Sequence, residues 1–454
     1  MSKPSLEDIV SLCKRRGFIY QGSEIYGGLA GIYDYGPLGA QLKRNINNLW
    51  WKKVVEERDN VYGLDAAILM KRDVWVASGH VAGFADPMVE DTVNKKRYRA
   101  DHLLEDKGVS AEGMDLRSLT AAIKENGIKS PDGNPLGEVK MFNTLLPVRV
   151  GSVEDESSLA YLRGETAQGI FVNYKNVMDS FHPSLPFGVA QIGKAFRNEI
   201  SPRDFIFRLR ELEQMEMQYF IDPKTQAEEY ENWRQFAWNF LTKELEVPES
   251  KLKWHEHGDN ERAHYAAAAH DIYFEFPQGF KELWGTHNRT DFDLKTHSEH
   301  SGKDLFYFNQ ATGEKFIPNV IESSVGLDRM LMAVLSNAYS VDEQAGEQRV
   351  FLKLPPHLAP VKVAVFPLLK NKPELVQKAR EVYESLRKQV DGEVMWDDNG
   401  NIGKRYRRQD EIGTPYCITI DFDTLQDDTV TLRSRDTTEQ KRVKSDEIYK
   451  SVGS

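Results

Sequence analysis

The chain has 454 residues, of which 40% are hydrophobic and 28% are charged, and its formal net charge is −11. This length predicts roughly two to four domains, and the negative charge argues against a nonspecific nucleic-acid binder. A selective RNA-binding protein can still be acidic overall if its basic residues are grouped. The two cysteines, Cys13 and Cys417, exclude a disulfide framework and favour a reducing compartment. We expect no secretory signal or membrane span, because long apolar runs are lacking.

The first 70 residues predict helices and turns followed by a strand. We expect a short helix at residues 6–15 and a turn region rich in glycine and tyrosine at 17–39. An amphipathic helix is predicted at 40–57, with Leu42, Ile46 and Leu49 on one stripe, and a strand at 61–70. A lone glycine cluster is weak evidence for phosphate binding.

Residues 88–157 are polar and are interpreted as an insertion, with a helix predicted at 116–125. The basic run from Lys95 to Arg99 either contacts RNA or forms a solvated face.

Residues 159–171 combine a turn at Gly164 with a following helix. Glu165 stands in the first turn of this helix, where an acid interacts favourably with the helix dipole; binding of a ligand is the alternative.

The densest group of charged side chains falls in a predicted hairpin, with strands at 189–199 and 208–220. The two-residue period of a strand predicts one face with Leu212, Gln214 and Glu216. The other face carries Glu211, Glu213, Met215 and Met217. Arginine and glutamate are rarely buried unpaired. We therefore expect a ligand with both signs of charge, such as a polyphosphate with an amine or a metal, although a solvated hairpin with ion pairs is possible.

Aromatic side chains crowd the start of residues 222–257, which predicts a helix packed in the core. Strands are expected at 271–276 and 280–285. The segment from residue 255 to residue 300 holds seven histidines that could suggest a metal site: His255, His257, His264, His270, His287, His297 and His300. The spacing of His255 and His257 would put both on one strand face, but such spacing is more often chance than ligation. We predict no metal site from it.

Residues 316–329 predict a strand and a turn that lead into a helix at 330–336. Arg329 stands at the helix start, where the dipole disfavours a cation, so contact with an anionic or aromatic ligand would justify it.

A proline-rich linker at 355–360 precedes alternating strands and helices, which predict an α/β domain with a mixed sheet. This domain holds the densest basic cluster, which favours either RNA contact or an exposed helix face: Lys404, Arg405, Arg407 and Arg408, interleaved with Tyr406.

The hairpin and the strand–turn–helix carry a family resemblance. Phe196-Arg197-Asn198-Glu199, a loop and Arg208-Leu209-Arg210-Glu211-Leu212 resemble motif 2 of class II aminoacyl-tRNA synthetases, and Gly326-Leu327-Asp328-Arg329 resembles motif 3. Most of the chain is similar to the dimeric type of glycyl-tRNA synthetase. The resemblance implies an α+β catalytic domain at 1–354, with a mainly antiparallel sheet flanked by helices and insertions at about 88–157 and 222–270. It also implies an anticodon-binding domain at 361–454.

The resemblance implies the substrates and their contacts as well. Arg197 and Arg329 would be catalytic, with Arg197 on the α-phosphate and Arg329 stacked on the adenine. ATP would also contact Asn198, Glu199, Phe207, Arg208, Leu209, Arg210, Glu211, Leu212, Glu282, Leu283, Gly326, Leu327 and Asp328. Glycine would contact Arg99, Glu165, Leu212, Glu213, Gln214, Met215, Glu216, Glu322, Ser323, Ser324, Val325 and Gly326. The transfer RNA, tRNA(Gly), would contact Lys404, Arg405, Arg407 and Arg408.

Further expectations follow from the same resemblance. Glu282 would hold the Mg²⁺ that accompanies ATP, because a hard cation prefers carboxylate oxygens. No zinc is expected, since residues 88–157 lack the Cys-x-x-Cys that relatives often carry there. Leu212 replaces a phenylalanine that relatives stack on the adenine. A cytoplasmic homodimer is implied, paired through residues 40–70. The alternatives are a class II synthetase for another small amino acid and a non-catalytic tRNA-binding relative.

Overall fold

The computed structural model describes residues 3–83, 85–111, 114–152, 158–258, 266–344 and 346–452. Its first part begins with a helix that Ser5 and Asp8 close with reciprocal capping bonds and that Gly17 ends in the left-handed conformation. The elements of this part are α1 (Leu6–Arg16), β1 (Ile19–Gln21), β2 (Tyr33–Tyr35), α2 (Pro37–Trp51), β3 (Val61–Gly63), β4 (Leu69–Lys71), α3 (Arg72–Ala77) and α4 (His80–Gly83). The predicted helix at 6–15 is confirmed.

The single strand predicted at 61–70 is wrong, because β3 and β4 belong to different sheets. After β3 the chain leaves the ladder: the backbone N–H of Ala66 donates to the side chain of Gln191. The carbonyl of Ala66 accepts from Arg163, 2.7 Å away. Side chains therefore replace a neighbouring strand at this point, which nothing in the local hydrophobic pattern announces.

The segment interpreted as an insertion has a small core of its own. Its sheet has the strand order β6-β5-β7, and two helices pack against it through Leu104, Leu119 and Ile123. The elements are β5 (Ala85–Asp91), β6 (Arg97–Arg99), α5 (Ala100–Glu105), α6 (Leu116–Glu125) and β7 (Leu136–Asn143), followed by β8 (Leu146–Arg149), which joins β9 and β4 in another sheet. The predicted helix at 116–125 is confirmed.

A seven-stranded sheet forms the centre of the molecule, in the order β12-β13-β14-β17-β11-β10-β3. Only the edge pair β10 and β3 is parallel among these ladders, so the sheet is mainly antiparallel, as predicted. The elements of this region are β9 (Leu159–Leu162), α7 (Ala167–Phe181), β10 (Phe187–Phe196), β11 (Glu211–Ile221), α8 (Gln226–Asn239), β12 (Leu252–Glu256), β13 (Ala268–Phe276), β14 (Gly279–Thr290), α9 (Phe292–Ser301), β15 (Tyr307–Phe308), β16 (Lys315–Phe316), β17 (Asn319–Gly326), α10 (Leu327–Ala338), β18 (Tyr339–Gln344) and β19 (Glu347–Leu352).

The two faces of the central sheet have different roles. On β11, Met215 and Met217 pack into the main hydrophobic core together with α10. Phe220, on the opposite face, packs against Phe171 of α7 and Leu294 of α9. The residues of β11 that precede Phe220 on this second face are polar, and a cavity lies over them. The alternation predicted for β11 is therefore confirmed.

Residues 361–452 form a five-stranded mixed sheet in the order β21-β20-β22-β23-β24. The β20 ladders are parallel and the last two ladders are antiparallel. The elements are β20 (Val361–Pro367), α11 (Pro373–Gln389), β21 (Glu393–Trp396), α12 (Ile402–Ile412), β22 (Tyr416–Ile420), α13 (Thr424–Asp427), β23 (Thr429–Ser434), β24 (Gln440–Lys444) and α14 (Ile448–Val452). Most match the predicted elements, whereas β24, rich in lysine, was not predicted.

A buried charge cluster joins this mixed sheet to the preceding hairpin of β18 and β19. Asp410 of α12 accepts from Arg349 of β19 at 3.2 Å and from Arg433 of β23 at 2.8 Å. All three side chains are at least 95% buried. Among the described residues, no helix combines the length and apolar character needed to cross a membrane.

Candidate active site

A cavity of about 260 Å³ lies on the polar face of the central sheet. Its floor is built from alternate residues of three neighbouring strands: Leu212, Gln214 and Glu216 of β11, Glu322, Ser324 and Gly326 of β17, and Gly285, His287 and Arg289 of β14. Arg197, Phe207 and Arg208 border it from the hairpin loop, and Arg329 borders it from the start of α10. The two arginines predicted to be catalytic thus lie around one cavity.

The hairpin end of the cavity is basic. Arg197 lies directly after β10, and its Nε donates to the carbonyl of Gly164 at 3.0 Å. Arg208 forms an ion pair with Glu199 at 2.7 Å. Arg210 donates to the carbonyls of Glu199 and Ala30 at 2.8 and 2.9 Å, which ties the hairpin loop to the glycine-rich turn region. This end of the cavity can therefore hold an anionic group between guanidinium side chains.

Arg329 is held by three groups at the rim of the cavity. Its Cζ lies 4.4 Å from the ring centroid of Phe207. Its Nη1 lies 3.2 Å from a carboxylate oxygen of Glu282, and its Nε donates to the carbonyl of Phe207 at 3.3 Å. These contacts compensate for the cation at the helix start, and they place a guanidinium group next to an aromatic ring at the rim.

The opposite end of the cavity is acidic and buried. Glu165 accepts from Gln168 at 2.9 Å and lies 3.3 Å from His80. Glu216 accepts from Thr166 and, at 2.8 Å, from Gln218. Glu322 lies 2.8 Å from both Arg289 Nη1 and His287 Nδ1. Three carboxylates thus converge on one small space, where a cationic ammonium group would be favoured.

Burial and mutual repulsion separate the protonation behaviour of these acids. Burial, reinforced by the charges of Glu322 and Glu165, raises the pKa of Glu216 well above its ordinary value. Burial also opposes ionisation of Glu322, but the charge of Arg289 and the bond from His287 lower its pKa. Burial opposes ionisation of Glu165 as well, but the charge of His80 and its bond, the charge of Arg289 and the bond from Gln168 together lower its pKa. Glu216 is therefore the carboxyl that takes up a proton most readily.

Two residues on the floor were not predicted to bind ligand. Arg289 is buried, and besides Glu322 it contacts Asp293 at 2.7 Å. Burial would lower the pKa of His287, but its bonds to Asp271 and Glu322 raise that pKa to about 10. The two-residue period through residues 285, 287 and 289 of β14 could have placed both on the face of Gly285.

Several residues predicted to bind ATP do not border the cavity in the described structure. Leu283 and Leu327 are buried in the hydrophobic core. Glu211 forms an ion pair with Lys194 at 2.9 Å. Asn198 bonds through its backbone N–H to Thr144, and Arg210 holds backbone carbonyls. The remaining predicted ATP residues line the cavity: Arg197, Glu199, Phe207, Arg208, Leu209, Leu212, Glu282, Gly326, Asp328 and Arg329.

The predicted glycine set also needs correction where strand alternation was ignored. Met215 and Val325 point into the core on the far face of the sheet. Ser323 accepts from Trp284 at 2.9 Å on that far face, and Glu213 pairs there with Lys43 at 2.5 Å. Arg99 contacts Asp101 at 2.6 Å within the insertion. Glu165, Leu212, Gln214, Glu216, Glu322, Ser324 and Gly326 line the cavity.

The basic cluster of α12 is less exposed than predicted. Arg405 is 2% exposed and donates to the carbonyls of Pro367, Asp398 and Gly400. Its prediction as an RNA contact is wrong, because its guanidinium holds the loop that precedes α12. Arg408 pairs with Asp397 at 2.8 Å and is partly buried. Lys404 is exposed and Arg407 is half-buried, so these two offer the accessible charges.

Known proteins resemble the chain over its whole length. Residues 362–453 match the family model described as "Anticodon binding domain". The glycine–tRNA ligase of Caldanaerobacter subterraneus is 49% identical, and the match covers 99% of this chain and 98% of that protein. The glycine–tRNA ligase of Chlorobaculum tepidum is 49% identical, and the match covers 96% of this chain and 97% of that protein. The glycine–tRNA ligase of Treponema denticola is 48% identical, and the match covers 99% of this chain and 97% of that protein.

An antiparallel sheet with one arginine after its hairpin strand and another at the start of α10, both on one cavity, is the arrangement of a class II aminoacyl-tRNA synthetase. The C-terminal mixed sheet coincides with the match to an anticodon-binding domain. At about half identity over nearly the full length of its relatives, the chain belongs to the glycine–tRNA ligase family.

Proposed function

We propose that this chain is the dimeric type of glycine–tRNA ligase, which activates glycine with ATP and transfers it to the 3′ end of tRNA(Gly). The observation that carries the proposal is the shared cavity, which brings Arg197 and Arg329 together with three buried glutamates. One end suits a polyphosphate and the other an ammonium group. Residues 1–354 would form the catalytic domain, residues 355–360 the linker and residues 361–454 the anticodon-binding domain.

In the first step, a carboxylate oxygen of glycine attacks the α-phosphorus of ATP, and the bond to pyrophosphate breaks. This step needs positioning and charge stabilisation rather than a general base. Arg197 would contact the α-phosphate, because it lines the cavity and its Nε donates to the carbonyl of Gly164, the residue before Glu165. Arg208 would reach the outer phosphates once its pairing with Glu199 loosens, and Arg329 with Phe207 would receive the adenine ring.

The second step transfers the glycyl group. A ribose hydroxyl of the terminal tRNA nucleotide attacks the carbonyl of glycyl-adenylate, and the bond to AMP breaks. The hydroxyl proton leaves with the AMP phosphate or with water. The cavity residues need only keep the adenylate in place during this step, with its phosphate against Arg197 and its amino group against the acids.

Magnesium would enter with ATP as part of the substrate. Glu282 offers a half-exposed carboxylate at the rim beside Arg329, and such an oxygen ligand fits a hard cation that keeps most of its waters. Magnesium bound to the phosphates would neutralise their charge. Glu282 would exchange its contact with Arg329 for the cation, which would free the guanidinium to meet the nucleotide.

Selectivity for glycine follows from the floor of the cavity. An extra methyl group is worth only about 1–3 kcal/mol of discrimination by attraction, so the site must exclude larger amino acids by contact. Glu165, Glu216 and Glu322 would surround the ammonium group. Ser324, which lies between the acids and Gly326 on β17, would crowd the α-carbon.

The proposed homodimer and the proposed tRNA contacts are supported by exposed residues on the surface. Phe181 is 63% exposed, and its ring lies 5.0 Å from that of Tyr62 on the edge strand β3. A second copy of the chain would cover this edge in a homodimer. Lys404 and Arg407 would contact tRNA. A cytoplasmic location agrees with the free thiols of Cys13 and Cys417.

ATP–pyrophosphate exchange with each small amino acid tests the proposal. Glycine alone should support exchange in the wild-type protein, and Glu322→Gln and Glu165→Gln should raise the glycine KM far more than the ATP KM. Glu211→Gln is the matched control, since Glu211 lies outside the cavity. Exchange with serine, threonine or proline but not glycine would indicate another synthetase. Binding of tRNA(Gly) without any exchange would indicate a non-catalytic relative.

A further inference from the structure

A group of two imidazoles and one carboxylate lies beside the acidic end of the cavity, on β13, on β14 and just after β12. His257 Nε2 lies 2.6 Å from Asp271 Oδ2, and His287 Nε2 lies 3.3 Å from Asp271 Oδ1. One ligand atom from each of the three residues falls within 4.8 Å of the others. The proposed ligase reaction uses neither His257 nor Asp271.

The sheet register fixes this group. The backbone N–H of His257 donates to the carbonyl of Ala269, and Ala269 is also the partner of His287 across β13 and β14. Asp271 lies two residues further along β13, on the same face. The three side chains therefore converge because the backbone pairing of neighbouring chain segments in the sheet brings them together.

The second ring nitrogen of His287 is also occupied. Its Nδ1 lies 2.8 Å from Glu322 Oε1, so Nδ1–H still donates to Glu322 when a metal ion replaces the proton on Nε2. Histidines that bind metals almost always donate their other N–H to a carboxylate or carbonyl in this way. The contact with Glu322 therefore provides the outer partner of a metal-binding histidine.

Room for a ligand exists over these donor atoms because residue 285 is glycine. A Cβ at this position would lie 3.2 Å from Asp271 Oδ1 and 3.0 Å from His287 Nε2. Gly285 also borders the cavity. A side chain here would cover the two donor atoms, whereas glycine leaves them open on the side of the cavity.

We propose that His257 Nε2, the Asp271 carboxylate and His287 Nε2 bind a transition-metal dication of the zinc class, with an open fourth position for water on the cavity side. Two imidazoles with one carboxylate suit Zn²⁺ or Co²⁺ rather than Mg²⁺ or Ca²⁺, which prefer oxygen ligands. The absence of cysteines in residues 88–157 does not bear on this site. A bound metal would fix the ring of His287 and thereby the carboxylate of Glu322.

Metal titration of the chelator-treated protein tests the proposal. Calorimetry with Zn²⁺ should give one equivalent of binding, and His257→Ala and Asp271→Asn should each weaken it by more than about tenfold. His300→Ala is the matched control, because His300 is exposed on α9 and bonds locally to the carbonyl of Thr296. Wild-type protein that binds no zinc, or variants that bind it as tightly as wild type, would show that the group is only a hydrogen-bonded network.

A second experiment looks for a new absorption band and does not depend on variants that lose metal binding. In His257→Cys, added Co²⁺ should produce a thiolate-to-cobalt charge-transfer band in the near ultraviolet, and the same substitution at position 300 should not. Cobalt bound without this band would place the metal elsewhere and refute the site. Because these readouts need neither glycine nor ATP, they fail or succeed independently of the proposed ligase activity.

Discussion

The guanidinium of Arg329 lies over the ring of Phe207, with its Cζ 4.4 Å from the ring centroid. Phe207 comes from the short turn that ends the hairpin loop (Phe205–Phe207), whereas Arg329 comes from the start of α10. The aromatic surface next to Arg329 therefore comes from the loop. Leu212, which also lines the cavity, contributes an aliphatic side chain.

Substitution of Phe207 should weaken nucleotide binding specifically. We expect Phe207→Ala to raise the ATP KM about fivefold, because a cation–ring stack at a partly exposed site is worth roughly 1 kcal/mol, while the glycine KM changes little. Phe205→Ala is the control, since Phe205 packs on Tyr33 with ring centroids 5.2 Å apart. Equal effects of the two variants on the ATP KM would show that Phe207 only supports the loop.

Replacement of Arg197 by lysine should lower the rate rather than the affinity. Lysine keeps the charge but loses the planar fork, and loss of one preorganised donor typically lowers kcat by about 10²–10³-fold. Steady-state pyrophosphate exchange at saturating glycine and ATP measures this. Arg210→Lys should reduce kcat much less, because Arg210 contacts backbone carbonyls instead of the cavity. A raised ATP KM with unchanged kcat for Arg197→Lys would contradict the assignment.

Much of this site was predictable from sequence, and the errors share physical causes. The two-residue period of β11 correctly separated Leu212, Gln214 and Glu216 from Met215, but the predicted glycine set ignored that alternation. The burial of Arg405 was missed because its partners are backbone carbonyls, which leave no trace in sequence. The group around Asp271 was missed because its members are 14 and 16 residues apart. Only the strand register brings them together.

Glu216 should make the protein less stable as the pH rises. Its folded pKa is raised well above that of an ordinary glutamate by burial and by Glu322 and Glu165. Between the unfolded and folded pKa values the native state therefore binds more protons, and the unfolding free energy falls by up to about 1.4 kcal/mol per pH unit. At pH values below the pKa of Glu216 in the unfolded state, the unfolding free energy is not lowered in this way.

The matching measurement compares Glu216→Gln with wild type by thermal unfolding across pH. We expect the variant to have the higher Tm at neutral and alkaline pH, and the difference to shrink as the pH falls towards that of a free glutamate. Glu211→Gln, on the same strand but paired with Lys194 outside the cavity, should leave the slope of Tm against pH unchanged. A constant difference at every pH would show that folding does not shift the pKa of Glu216.

Removal of the charge of Asp410 should strongly destabilise the contact between the C-terminal sheet and the preceding hairpin of β18 and β19. Asp410 is fully buried between Arg349 and Arg433, and breaking a buried ion pair from one side costs about 3–5 kcal/mol. Urea unfolding of Asp410→Asn measures this loss. Asp397→Asn, which removes the less deeply buried partner of Arg408, should cost less than Asp410→Asn. Similar losses would mean that the buried cluster does not stabilise the contact.

Neighbouring basic residues of α12 should separate RNA binding from folding. Lys404 is exposed, so Lys404→Ala should raise the KM for tRNA(Gly) severalfold and reduce the salt dependence of binding, without a change in Tm. Arg405 is buried and satisfies three carbonyls, so Arg405→Ala should lower Tm by leaving these acceptors unpaired. Pyrophosphate exchange, which needs no tRNA, should be unchanged in Lys404→Ala. If that variant lost exchange and tRNA binding together, the effect would lie in folding and the RNA contact would be refuted.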